Sequence, residues 1–311
     1  MASAPRRTWA KHRVDLNEIL TRHSLDNSWM TTLVLSPHLD DAVLSLGGSI
    51  AAWVAEGTRV VIASVYTAGP ALSELTPRMR KFGDYGTRRA EDLAACTLLG
   101  AEPRYLDQTE RAFRRPFLSG WGFFRTPSRR EGFTTLANVT RALDSLATLE
   151  PSRIVVPLGV GNHIDHVETL IAATDWAIAN GVLHRVFFYE DFYALSTAMR
   201  NKHPVTSHRT WKRTQSPLET ASRLGVIMRL IAAGRRGPPV EQLLAPQLRS
   251  AHWTVSATDV RSHEQRMLDA IACYASQTRA FGGSAAICRA IRAYHAWWGG
   301  GEPLWSADVS G

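Results

Sequence analysis

The sequence predicts an α/β fold: a mostly parallel, twisted sheet with helices on both faces. Three observations lead there. Short apolar runs alternate with helical patterns from Leu33 onward. Arg59–Val65 among them is β-branched and short, as a strand buried on both faces is. Turns carrying histidine and aspartate follow two of the runs, and the carboxyl end of a parallel strand is where α/β folds place their chemistry.

Leu33–Ser36 reads as the first strand and Leu44–Ala55 as the helix after it. Gly47-Gly48 lies inside that helix. Glycine there costs roughly 1 kcal/mol per residue, so the pair predicts close packing against a loop or the sheet. Arg59–Val65 is a second buried strand, and Gly86–Leu99 a helix that Gly100 stops. Arg104–Leu106 is a short third strand ending at Asp107, followed by a helix over Ala137–Leu149. Ile154–Val156 is a fourth strand with its helix at Val167–Ala179, and Val186–Tyr189 a fifth strand. Further on, Leu218–Ala233 reads as a helix, His252–Val255 as a strand and Thr258–Ala280 as a long helix. Trp297, Trp298 and Trp305 are expected to pack on the core. Gln108–Phe133 has no clear period, and a loop of that length inside a domain is usually a functional lid or wall. The organisation expected is an arm over residues 1–29, one domain over 30–295 with the insertion 108–133, and a tail over 296–311.

At 311 residues, 45% hydrophobic and 21% charged, the chain has an ordinary globular composition. It holds no run of about 18 apolar residues, so no membrane span is expected. The basic, polar stretch Met1–Arg13 is unlike a secretory signal. Cys96, Cys273 and Cys288, an odd number without close spacing, fit reduced thiols in a cytoplasmic protein. The net charge of +8 invites a nucleic-acid reading, but the arginines are scattered and form no binding motif, so no nucleic-acid partner is expected. An anionic substrate fits the charge as well. Nothing in the pattern sets the oligomeric state.

The chemistry concentrates in His38-Leu39-Asp40-Asp41 and His163-Ile164-Asp165-His166. His38 and Asp41 are three residues apart, so a tight turn can aim both at one ion. Asp40, between them, then sits beside the metal, where a carboxylate can hold and deprotonate a water. If His166 completes a His-Asp-His set, three protein ligands leave one position open, the catalytic arrangement rather than the closed structural one. His163 then lies near the open side, able to steady an oxyanion or protonate a leaving amine, and Asp165 could keep that imidazole charged. An isolated Asp-Asp pair is more often a solvated turn or a helix cap, and Asp41 alone could be one. Two metal-capable clusters at two strand exits favour the site. Asp107 ends a strand on the same edge and either reaches sugar hydroxyls or caps a turn. Trp121, Phe123 and Phe124 could stack on a sugar but are read as cover for the core, and Glu190-Asp191 as solvated loop acids.

Pro37-His38-Leu39-Asp40-Asp41 with Gly47-Gly48 resembles the (P/A)HxDD...GG signature of the LmbE-like (PIG-L) deacetylases, and His163–His166 resembles their HxDH motif. Arg88-Arg89-Ala90-Glu91 running on to Leu99-Gly100 is similar to the family's RxxE...LG helix, and Tyr274 with Ser276-Gln277 to its C-terminal YxSQ element. Leu39 and Ala42 stand where the usual HPDDE motif has proline and glutamate; the ligand set is intact, while a carboxylate near it is missing. The resemblance implies a Rossmann-like LmbE deacetylase fold and a cytoplasmic, zinc-dependent hydrolase removing an N-acyl group, usually acetyl, from an amino-sugar-containing small molecule or conjugate. By position, His38, Asp41 and His166 would bind one Zn2+ per chain, or another divalent ion. Asp40 would be the base, His163 would steady the oxyanion, and Arg88 would lie near substrate. The alternatives are an amidase on a larger thiol-sugar conjugate and a non-catalytic sugar- or nucleic-acid-binding protein on the same fold.

Overall fold

Seven short strands form one sheet in the computed structural model, which describes residues 30–118, 120–210, 217–218 and 222–309, the side chains of Arg78, Lys81 and Trp121 excepted. The strands are β1 (Thr31–Ser36), β2 (Arg59–Ser64), β3 (Glu102–Tyr105), β4 (Arg153–Pro157), β5 (Val186–Tyr189), β6 (His252–Asp259) and β7 (Gly301–Asp308). Their order is β3-β2-β1-β4-β5-β7-β6. β1 to β5 pair in parallel, while β7 runs antiparallel to β5 and β6 antiparallel to β7. Leu33, Val34, Leu35 and Val155 are wholly buried, as expected of central strands covered on both sides. The five parallel strands of the Rossmann-like pattern are therefore as the sequence predicts, with helices returning the chain between parallel neighbours.

The helices that matter here are α1 (Asp41–Ala55), α2 (Pro77–Gly83), α3 (Tyr85–Leu99), α4 (Leu136–Leu143), α5 (Ile164–Ala179), α6 (Arg223–Gly234), α7 (Glu264–Ala272) and α8 (Ser284–Trp297). α1 and α5 are apolar nearly all round and are buried along most of their length. α3 is entered through Asp84, whose carboxylate accepts from the Thr87 N–H, and ends on Gly100 in the left-handed region at φ 77°. The predicted close approach at Gly47-Gly48 is present. A Cβ on Gly47 would lie 2.7 Å from Met267 Cγ, and one on Gly48 would lie 2.6 Å from Val260 Cβ.

From β1 the chain moves outward to β2 and β3, then returns to place β4 on the other side of β1, so the order reverses between β1 and β4. The register Leu33↔Ile154 and Val34↔Val155 brings the two motif-bearing exits side by side.

Several elements differ from the sequence reading, and α2 is absent from it. The helix expected over Thr258–Ala280 starts only at Glu264, because β6 extends to Asp259 to pair with β7 along its whole length. That strand alternates half-buried and exposed side chains, so tertiary pairing overrides local helical preference. The segment read as a tail contributes β7, with Trp305 on it 1% exposed. The helix expected over Ala137–Leu149 divides into α4 and a tighter 3-10 stretch over Asp144–Leu149. The arm over residues 1–29 lies outside the described residues. Among those described, no helix is long and apolar enough to cross a membrane.

Candidate metal centre

The turn after β1 is built by its own side chains. Ser36 Oγ donates to the His38 carbonyl at 2.5 Å and accepts from the Ala42 N–H at 3.0 Å. Asp40 is the residue before α1, and its carboxylate caps nothing. Asp41 begins the helix but turns back: its Oδ2 accepts from the His38 N–H and lies 2.9 Å from His38 Nδ1. Capping therefore does not explain the Asp-Asp pair.

The turn after β4 is tighter. Gly159, Gly161 and Asn162 all have positive φ, at 74°, 93° and 61°, and a Cβ on Gly161 would meet Tyr193 Cβ at 2.9 Å. This backbone delivers His163 as the residue before α5 and Asp165 and His166 in its first turn.

The two turns meet. His166 Nε2 is 3.1 Å from Asp41 Oδ2, and the ring centroids of His38, His163 and His166 are 5.0–5.2 Å apart. Two groups place their ligand atoms within 4.8 Å of one another: His38, Asp41 and His166, and His38, His163 and Asp165. The fit to a cation rests on these atoms. His166 Nε2 and His163 Nδ1 are buried without a hydrogen-bond partner, and one Asp41 oxygen faces two imidazoles. Buried nitrogens left unbonded at a convergence of carboxylate and imidazole are the donor set an ion of the zinc type takes.

Around this centre the charges are strongly shifted. Burial raises the Asp40 carboxyl to about 6, with Asp41 adding to the effect. For Asp41 burial works the same way, but His166 and His38 hold the carboxyl well below the ordinary range. Burial opposes charge on His166 too, yet Asp41 and Asp191 lift it to about 9. His163 is pushed well below its ordinary value by burial and by the two neighbouring imidazoles.

The remaining predicted residues are placed as follows. Asp165 accepts from Arg114 Nη2 at 2.6 Å and from the Arg111 N–H at 3.0 Å, and lies 3.2 Å from His38 Nε2. No hydrogen bond joins it to His163 among the described residues. Arg88 is buried and pairs with Glu110 at 2.8 Å, its charge felt at Asp40. Asp107 stands apart, 63% exposed, bonded to Thr67 and paired with Arg89. The insertion walls the centre. Phe123 stacks on the His163 ring and Phe124 meets it edge-on, at centroid distances of 6.2 and 5.2 Å. The Trp121 side chain lies outside the described residues.

Two acids read as solvated are not. Asp191, 1% exposed after β5, is 2.6 Å from His166 Nδ1 and accepts from the Val160 N–H at 2.9 Å. It holds the imidazole with Nε2 toward the centre and could serve as the outer carboxylate of a carboxylate–histidine–metal arrangement. The pattern "strand, then acid" was its only sequence signal. Glu190 is equally buried and serves the core, bonded to Arg200, Tyr294 and Trp305. The C-terminal motif docks on α3: Tyr274 donates to Asp92 at 2.8 Å, and Ser276 donates to Glu91 through its N–H and hydroxyl.

Residues 33–177, which span both motif turns, match the family model described as PIG-L, GlcNAc-PI de-N-acetylase. The comparison with curated proteins returns no match. Among solved structures, the chain is similar to the antimicrobial reagent A40926 pseudoaglycone deacetylase, at 19% identity and a TM-score of 0.60 over 92% of this chain and 99% of that one. It is similar to a deacetylase of the teicoplanin biosynthesis pathway, at 21% identity and a TM-score of 0.62 over 89% and 98%. A third is described as the zinc-inhibited form of teicoplanin deacetylase, at 20% identity and a TM-score of 0.62 over 89% and 98%. These likenesses establish the α/β fold they share with this chain.

Proposed function

From a chain whose residues 33–177 match the PIG-L family, we propose a metal-dependent hydrolase that removes the N-acetyl or other N-acyl group of an amino-sugar-containing molecule. The observation that carries the reading is the convergence of His38, Asp41 and His166 with Asp40 beside them. Support comes also from the structural neighbours described as the A40926 pseudoaglycone deacetylase and a deacetylase of the teicoplanin biosynthesis pathway.

His38, Asp41 and His166 would hold the ion, and we take it to be zinc because two imidazoles and a carboxylate suit its borderline character. When bound, such an ion polarises the acyl carbonyl and makes water acidic enough to attack at neutral pH. Asp40 accepts the proton of the attacking water; a carboxyl at about 6 is ionised at neutral pH yet basic enough to take it. His163, kept neutral by burial and its imidazole neighbours, offers a ring N–H to the developing oxyanion. Asp191 fixes the His166 ring, and Phe123 and Phe124 exclude water from the His163 side. The proton held by Asp40 passes to the departing amine. Arg88 adds positive charge near Asp40, and Asp165 ties the second turn to the insertion through Arg114. Free thiols at Cys96, Cys273 and Cys288 accord with a cytoplasmic setting.

The test separates base from ligand. Asp40→Ala should retain the metal in elemental analysis while losing about 10²-fold or more in amine release from N-acetylated amino sugars. His166→Ala should lose the metal itself. An Asp40→Ala enzyme with wild-type turnover would refute the assignment of the base.

A further inference from the structure

A second cavity, of about 420 Å³, has Asn162 of the Gly159–Asn162 turn in its wall, and also Arg236, whose backbone pairs with Phe124 and Thr126 of the insertion. Its cationic lining is Lys202, Arg235 and Arg236, and no aspartate or glutamate lines it. Arg235 is half-buried at the end of α6, where burial depresses its pKa and no carboxylate opposes the shift. Among the described residues, no ion pair involves Arg235, Arg236 or Lys202. The Arg236 guanidinium donates to the Ala233 and Arg235 carbonyls, which orients it but leaves its charge unneutralised. His203, also in the wall, is turned to the Leu158 carbonyl at 3.0 Å, and burial lowers its pKa to about 3, so it adds no charge to the cavity.

The contrast with the cavity inside the insertion is informative. That cavity also has an arginine-rich lining, but there Arg114 is bound to Asp165 and Glu168. A guanidinium withdrawn from water without a counter-charge is costly; here that cost falls on half-buried Arg235, beside the exposed Arg236 and Lys202. Three cations round one concavity, with no acid among them, lack an anion. Guanidinium forks beside an ammonium suit the several oxygens of a phosphoryl group better than a single carboxylate. The volume exceeds that of a bare ion, so the phosphoryl group can arrive attached to a larger molecule.

We propose that the cavity walled by Lys202, Arg235, Arg236 and Asn162 is a phosphoryl-binding site. It goes beyond the deacetylase reading and does not depend on it, although Asn162 immediately precedes His163 and so makes the two sites neighbours along the chain.

The full chain is titrated with inorganic phosphate in chloride buffer, following heat release and Tm. Phosphate is expected to bind and raise Tm, with Arg235→Gln and Lys202→Gln each weakening binding by about tenfold or more. Arg235→Gln is expected to keep the phosphate-free Tm, because it removes a charge that lacks a counter-ion; exposed Lys202 covers the case in which it does not. Arg104→Gln, on β3, should bind as wild type does. Absence of binding by the wild type, or wild-type affinity in both cavity variants, overturns the site. Amine release from an N-acetylated amino sugar and its phosphorylated form then locates the source. A preference for the phosphorylated form that Arg235→Gln erases places the phosphate on the substrate, whereas equal use of both assigns the site to free phosphate. Phosphate binding without amine release from either would sink the deacetylase reading and leave this site standing.

Discussion

Asp191 shows how one carboxylate serves two parts of the centre. One oxygen is 2.6 Å from His166 Nδ1 and the other accepts from the Val160 N–H, so the ring and the turn after β4 are set together. Asp191→Asn should therefore lower metal affinity by about 10–100-fold in chelator competition while leaving the fold intact; unchanged affinity would remove the residue from this role. Its neighbour in sequence, Glu190, was indistinguishable from it before the structure. Both follow a strand, and only the packing of β5 beside β4 and β7 decides that one faces the imidazole and the other the core. The motif residues were legible because their spacing is local: His38 to Asp41 is one turn of chain. Asp92 belongs at this scale too. Burial raises its carboxyl to about 7, against a hydrogen bond from Tyr274. A raised folded value means that the folded state holds the proton more tightly. The stability this confers is complete below the ordinary carboxylate value and is lost as pH rises through about 7. Asp92→Asn keeps an acceptor for Tyr274 and cannot ionise. It should gain on wild type as pH rises from about 4 to about 7, by on the order of 1–3 kcal/mol in urea unfolding. A difference independent of pH would show that Asp92 does not titrate in this range.

At the scale of elements, α1 is decided by what lies against it. Alanine at Gly48 would gain about 1 kcal/mol of helix propensity. The new Cβ would sit 2.6 Å from Val260 Cβ and 3.0 Å from Glu302 Oε1, and overpacking of that kind costs about 1–3 kcal/mol. The clash is with a β-carbon, which cannot swing aside, so it wins: Gly48→Ala should lower Tm, and a rise would mean that β7 and the turn after β6 yield. The glycine pair advertised this approach in the sequence, but not its partners, which come from more than 200 residues away. Strands β1, β2, β4 and β5 were legible because burial on both faces leaves a solid apolar run. β6 was cut short in the reading because its outer residues alternate and its register depends on β7. α2 was missed although Thr76-Pro77 is a helix start, its N-cap hydroxyl accepting from the Met79 N–H.

Taken whole, the molecule places its chemistry where the strand order reverses, between β1 and β4. That much follows from alternation and right-handed crossovers, which is why the fold class was readable. The antiparallel pair β7-β6 was not, since nothing local marks residues 301–308 as a strand set between two others. They carry Glu302, which accepts from the Gly48 and Ser49 N–H groups, and Trp305, which donates to Glu190. Truncation after Gly300 should therefore abolish cooperative unfolding by circular dichroism; a normal melt would show that β7 only decorates the sheet. During synthesis this has a temporal consequence. Until residues 301–308 clear the ribosome, β5 waits with an open hydrogen-bonding edge and β6 without a neighbour. A chain stalled before residues 301–308 emerge would thus present a gap beside β5 to whatever strand or chaperone arrives first.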